Sequence, residues 1–179
     1  MTDEIRGEER AWTEEKVVKQ VMDHLKEHQV SYQIKHHSKT VFTSEEAAKE
    51  RGVRLSQIVK TTFLSDKEGN LIVAVLPGDR RLDRKKIKKV SGYQDLRFMD
   101  KESLEKQTGF IVGAISPVGN RLKDLPMFVD PSVFEEELLD ISSGDPNAGI
   151  ELARDDLKKL LKHATVADIT EKESPKKIE

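Results

Sequence analysis

An α+β fold is the class this sequence predicts, and three observations predict it. Two apolar, β-branched runs, residues 57–64 and 71–76, flank a Lys67-Glu68-Gly69-Asn70 turn signal and read as a hairpin near the core. Helical stripes and capping signals occur before, between and after the strand-like runs, in mixed order rather than strict β-α alternation. No internal repeat and no linker divides the 179 residues, a length suited to one well-buried core.

Each element has its own signal. From Thr13, the residues Val17, Val18, Val21, Met22 and Leu25 form one stripe at helical spacing. Val30, Tyr32 and Ile34 alternate as a short strand. Thr43-Ser44-Glu45-Glu46 is a capping box, in which Thr43 caps backbone N–H groups and Glu46 reaches back. The helix so begun ends at Gly52, a left-handed cap. After the hairpin come a helix over 83–90, a strand over 96–99 and a helix begun by Asp100. Strands are expected at 110–112, 127–129, 138–142 and 150–152, then a helix over 154–162 and a closing strand over 165–169. Residues 1–12 and 171–179 read as flexible tails around a domain over 13–170, with too little apolar surface to offset the cost of ordering.

Composition excludes several classes. Charged and hydrophobic residues each make up 36%, giving a heavily ionised surface around a modest core. A net charge of −2 argues against a whole-surface nucleic-acid binder but leaves room for a local basic patch. With no cysteine, disulfides, thiolate nucleophiles and cysteine-zinc sites are impossible. No apolar stretch approaches the roughly 20 residues that span a bilayer, and the acidic N-terminus lacks a signal-peptide core. A cytoplasmic protein without membrane contact is expected.

Lys60 lies inside the first hairpin run, where period two places it with Ile58, Thr62 and Leu64. An ammonium there is costly unless it is paired or its face opens on a polar ligand. The alternative is a lysine on the wet face of an edge strand, snorkelling to water. Downstream, Gly113-Ala114-Ile115-Ser116-Pro117-Val118-Gly119 follows an apolar stretch. Such a loop is either an ordinary connection or a backbone cradle for a phosphate or oxyanion. Arg81, Arg84, Lys85 and Lys88 belong to the densest basic segment, which is either a solvated face or a track for a phosphate backbone. His24 and His28 are four apart but lack a third ligand, so they read as boundary histidines rather than a zinc pair, and no metal site is expected. Phe42 is a core staple or a pocket wall.

Taken together, Val59-Lys60-Thr61, Pro77-Gly78-Asp79 with Leu82-Asp83, the Gly113–Gly119 loop, Val129-Asp130 and Ile141-Ser142-Ser143-Gly144 form an ordered set. In that order they resemble the YbaK/EbsC-type domain, the stand-alone relatives of the editing domain inserted in bacterial prolyl-tRNA synthetases. The resemblance covers about 17–169. It implies a single domain with a mixed, partly barrel-like β-sheet flanked by helices. It also implies a trans-editing deacylase that hydrolyses the ester of a mischarged tRNA, tRNA-Pro carrying Cys, Ala or another small amino acid. The partners implied are the acceptor end of that tRNA and, as a second candidate, an aminoacyl-tRNA synthetase; no cofactor is implied, and oligomeric state is left open.

On this reading Lys60, Gly113, Ser116 and Pro117 are the catalytic candidates, with loop backbone groups around the ester carbonyl and a water. Phe42, Thr61, Ala114, Ile115, Gly119, Ser142, Ser143 and Gly144 are the substrate-binding candidates, and Arg81, Arg84, Lys85 and Lys88 the tRNA-backbone ones. Asp130, in a turn before Pro131, reads as structural. One departure bears on substrate: relatives of the cysteinyl-tRNA-specific type tend to carry an acidic residue where Gly149 falls. A non-catalytic tRNA- or synthetase-binding module, and a phosphate or nucleotide binder of another pathway, are the competing classes.

Overall fold

The computed structural model describes residues 14–172, so the expected tails lie almost wholly outside the described residues. Helix α1, Glu14–Glu27, buries the predicted stripe through Val17, Val21 and Leu25. Strand β1, Tyr32–His36, leads to helix α2, Ser44–Arg51, which ends at left-handed Gly52 as expected. Thr43 Oγ1 accepts from Glu46 N at 3.1 Å, but the reciprocal bond reaches one residue further: Glu46 Oε2 accepts from Phe42 N at 2.8 Å.

Strands β2, Ile58–Ser65, and β3, Leu71–Pro77, pair antiparallel in the predicted hairpin. Asp66 closes its turn, accepting from Glu68 N and Asn70 N. Helix α3, Arg84–Ser91, starts on an Asp83 cap. Strand β4, Arg97–Phe98, and helix α4, Lys101–Thr108, follow, the helix capped by Asp100. Then come β5, Met127–Val129, a 3₁₀ turn Pro131–Phe134, β6, Leu138–Ser142, and β7, Ala148–Ala153. Helix α5, Arg154–Leu160, and β8, Thr165–Val166, close the fold.

Two expectations are corrected. Residues 110–112 form no strand, because their backbone bonds locally: Phe110 N donates to Thr108 Oγ1 at 3.1 Å and Ala114 N to Ile111 O at 2.9 Å. The closing strand is only Thr165–Val166, after which Ile169 N bonds the Asp130 carboxylate.

The fold is α+β, with one mixed sheet in the order β1-β7-β6-β2-β3-β5-β8 and β4 joined to β2. The path of pairings is open and ends at β1 and β8. β2 is a central strand: it pairs parallel with β6 and antiparallel with β3. Val59 and Phe63 face the main core with Ile141, Ile150 and the α1 stripe, while Leu64 packs in a second cluster with Ile72 and Ile87. No helix among the described residues is long and apolar enough to cross a membrane.

Candidate active site

The middle of β2 is open along one side. Ile58 and Val59 pair with β6, Leu64 and Ser65 pair with β4, and residues 60–63 pair with β3 alone. A cavity of about 340 Å³ occupies this region, with Phe42, Lys60, Thr61, Gly113, Ile115 and Ser142 in its wall. Four segments far apart in sequence therefore meet there.

Lys60 is exposed at the rim. Among the described residues its ammonium makes no ion pair and no hydrogen bond. At Lys60 strand β2 has a neighbour on one side only, so the lysine stays hydrated as on an edge strand while bordering the cavity. Thr61, the next residue, points the other way and is 7% exposed; its Oγ1 is buried without a hydrogen-bond partner among the described residues. Leaving a buried hydroxyl unpaired costs about 1–3 kcal/mol.

Gly113 has φ 91°, and a Cβ there would lie 2.6 Å from Phe42 O. Only glycine allows the loop to pass this close to the Phe42 backbone. Phe42, anchored through its N–H to Glu46, is 55% exposed and forms part of the cavity wall rather than a core staple.

The rest of the loop turns inward. Ser116 is fully buried, and its Oγ accepts from Val118 N at 3.3 Å. Gly119 N donates to His24 Nδ1 at 2.8 Å, and Arg121 N to Gln20 Oε1 at 3.0 Å, so α1 holds the end of the loop. Burial, and then the neighbouring His28, push the His24 pKa down; its Nδ1 is the acceptor, so the ring proton is on Nε2. His24 is thus a buried loop anchor rather than a boundary residue.

A family model described as the aminoacyl-tRNA editing domain matches residues 38–160, a span that contains the whole cavity wall. The chain belongs to this family. It is 31% identical over 131 residues to the "Putative Cys-tRNA(Pro)/Cys-tRNA(Cys) deacylase EbsC" of Enterococcus faecalis, covering 73% of this chain and 79% of that protein. Over 74 residues it is 36% identical to the proline–tRNA ligase of Moorella thermoacetica, 41% of this chain but 12% of the ligase. A solved structure described as "a putative trans-editing enzyme for prolyl tRNA synthetase" superposes with a TM-score of 0.72 at 26% identity, covering 87% of this chain and 98% of that one.

Within the editing domain, the sequence-predicted residues divide. Phe42, Lys60, Thr61, Gly113, Ile115 and Ser142 line the cavity. Ala114, Ser116, Pro117 and Gly119 are buried behind it. Ser143 Oγ donates to Ala148 O at 2.7 Å, and a Cβ on Gly144 would be 2.9 Å from Val17 Cγ1, so both serve the β6–β7 turn and its packing on α1. Arg81, Arg84 and Lys85 line a second cavity of about 670 Å³, and Lys88 is outside that lining. Asp130 is structural: its carboxylate accepts from Ser132 and Ile169 N–H groups. Burial works to raise its pKa, but the Ser132 hydroxyl and then these N–H bonds bring it below the usual range.

Sequence reasoning missed Arg51 and Phe98. Arg51 reaches the cavity wall while its Nη1 pairs with Asp140 Oδ1 at 2.6 Å, both side chains almost fully buried. Burial pushes the Asp140 carboxyl up and the Arg51 cation opposes it. Gly149 makes this pair feasible, because a Cβ there would overlap the Arg51 side chain. An aspartate within apolar Leu138-Leu139-Asp140-Ile141 was the available signal. Phe98, 51% exposed in the cavity rim, had no signal beyond its type.

Proposed function

We propose that this editing domain hydrolyses the ester joining a small amino acid to the terminal adenosine of a mischarged tRNA, tRNA-Pro being the first candidate. Water adds to the ester carbonyl, the tetrahedral intermediate collapses, and the carbonyl–oxygen bond to the ribose breaks. The amino acid leaves as a free acid and the ribose oxygen takes up a proton. Such an ester is already activated, so positioning and charge stabilisation carry most of the catalysis.

One observation carries this reading: a cation and a buried hydroxyl without partners among the described residues, Ser142 and the glycyl backbone at Gly113 line one cavity between β2 and the loop. Lys60 binds the ribose-phosphate side of the ester and screens developing negative charge. Backbone groups of Gly113 and Ile115 address the carbonyl and the water, and Thr61 and Ser142 fix the amino-acid end. The Ser116 hydroxyl faces the core and accepts a backbone bond, which supports a water rather than a serine nucleophile. A volume of about 340 Å³ that also seats a ribose leaves room for a small side chain, in line with alanine, cysteine, serine or threonine. A side chain at Gly149 would overlap Arg51, which lines the cavity, so the acidic residue of the cysteinyl-type relatives could sit there only if Arg51 moved.

A panel of tRNAs mischarged with these amino acids tests the proposal. We expect ester loss for one or two of them, reduced about 100-fold in Lys60→Ala, the scale of losing one charge-stabilising group. Retention of the charged tRNA without hydrolysis makes the chain a binding module instead. Removing Arg81, Arg84 and Lys85 should flatten the salt dependence of tRNA affinity, and an unchanged slope removes these residues from the backbone contact.

A further inference from the structure

The cavity that holds the proposed ester does not end at Lys60. Lys60, Thr62 and Phe98 also line the second, larger cavity of about 670 Å³, so the two share a wall. The far side of the second cavity carries Arg81, Arg84 and Lys85 against two carboxylates, Asp83 and Glu171. The Asp83 carboxylate is already engaged, accepting from Lys85 N and Lys86 N as the cap of α3. That also closes the helix end to an anion, so the basic side chains, not the helix N-terminus, supply the attraction. Lys86 is directed elsewhere, bonded to Asp168 and Thr170 O.

Phe98 stands on the divide. Half of this ring is exposed although it belongs to a strand, β4, fixed to β2 through Leu64 and Ser65. The Arg84 guanidinium lies over one face of the ring, 5.9 Å from its centroid, and is tethered by a 3.0 Å bond from Nη2 to Leu96 O, so a base would stack on the opposite face. An ordered aromatic ring flanked by a fixed guanidinium and further cations suits a stacked nucleobase with its adjoining phosphate.

We infer that the second cavity is a subsite for the nucleotide preceding the esterified adenosine, with its base stacked on Phe98 and the bridging phosphate held by Lys60, Arg84 and Lys85. This rests on the proposed function for the identity of the first cavity's occupant. It goes beyond that reading by assigning Phe98 a role and giving the substrate a direction, from the ester past Lys60 toward α3. A polynucleotide then binds better than a nucleoside for a local reason, separate from general charge attraction.

Binding of three uncharged probes tests this without requiring hydrolysis. Calorimetric titration with adenosine, adenosine 5′-monophosphate and cytidylyl-(3′→5′)-adenosine should give a rising series, the dinucleotide about tenfold or more tighter than adenosine. Phe98→Ala should erase the gain from monophosphate to dinucleotide, and Phe98→Tyr should keep it. Arg84→Gln should erase most of the gain from adenosine to monophosphate. Equal affinity for all three probes in the wild-type chain overturns the inference, as does a full dinucleotide gain in Phe98→Ala. A Phe98-dependent dinucleotide gain in a chain that hydrolyses none of the mischarged tRNAs upholds the subsite and rejects the deacylase reading.

Discussion

The front of the cavity and the structure behind it differ in one respect. In front, Lys60 and the Thr61 hydroxyl have no partners among the described residues. Behind, most polar groups are engaged: Gly119 N on His24, Val118 N on Ser116, Ser143 on Ala148 O, and Arg51 on Asp140 Oδ1, while Gln20 Nε2 and Asp140 Oδ2 find no partner among the described residues. Unpaired polar groups oppose folding, whereas paired ones fix geometry. The same motif residues therefore divide into a face open to the cavity and a buttress, and under the proposed function the division predicts which substitutions alter turnover and which alter stability.

The largest expected effect is at the joint between the two. Arg51→Ala strands the Asp140 carboxylate, and breaking a buried pair in this way costs about 3–5 kcal/mol. Chemical denaturation measures it, and a loss under about 1 kcal/mol would show that water replaces the guanidinium. Gly113→Ala attacks the front: the new Cβ meets the Phe42 backbone, so the loop shifts and deacylation should fall about 100-fold. Wild-type turnover in this variant would remove the loop backbone from the chemistry.

His24→Leu tests the buttress, leaving the Gly119 N–H buried and unpaired at a cost of about 1–3 kcal/mol. The same residue predicts a pH dependence. Because burial, with help from His28, His163 and Lys123 and against Glu27, lowers its pKa in the fold, the unfolded chain takes up the proton first. Stability is therefore full above the ordinary histidine value of about 6.5 and declines as pH falls below it. His163 is shifted the same way by burial, so the readout is the difference in slope between wild type and His24→Gln. Equal slopes would assign the effect to His163. The smallest effect on turnover is expected for Ser116→Ala, which stays within a few-fold, at a stability cost of about 1–3 kcal/mol for the buried Val118 N–H left unpaired. A collapse of activity there would restore the serine as a nucleophile.

Most of the framework was legible because it is local. The α1 stripe, the hairpin around Gly69, the Asp83 and Asp100 caps and the Gly52 terminus depend on residues a few positions apart. The strand expected at 110–112 failed because an apolar pattern does not reveal that Thr108 and Ile111 capture the backbone groups a strand would offer. Within the site, residue types and motif order pointed to Lys60, Thr61, Gly113 and Ser142. They did not separate Ser142 from Ser143, or Gly113 from Gly119, since a turn's direction is set by what packs behind it.

By itself, then, the sequence determined most of the secondary elements, the core stripes and the set of segments able to contribute chemistry. Only the tertiary structure decided which of their groups face the cavity, that Arg51 finds Asp140 across 89 positions, and that Phe98 divides two cavities. The physical reason is the sheet order. Placing β6 and β4 at opposite ends of one side of β2 opens the gap between them, and non-local pairing of that kind leaves no local pattern in the chain.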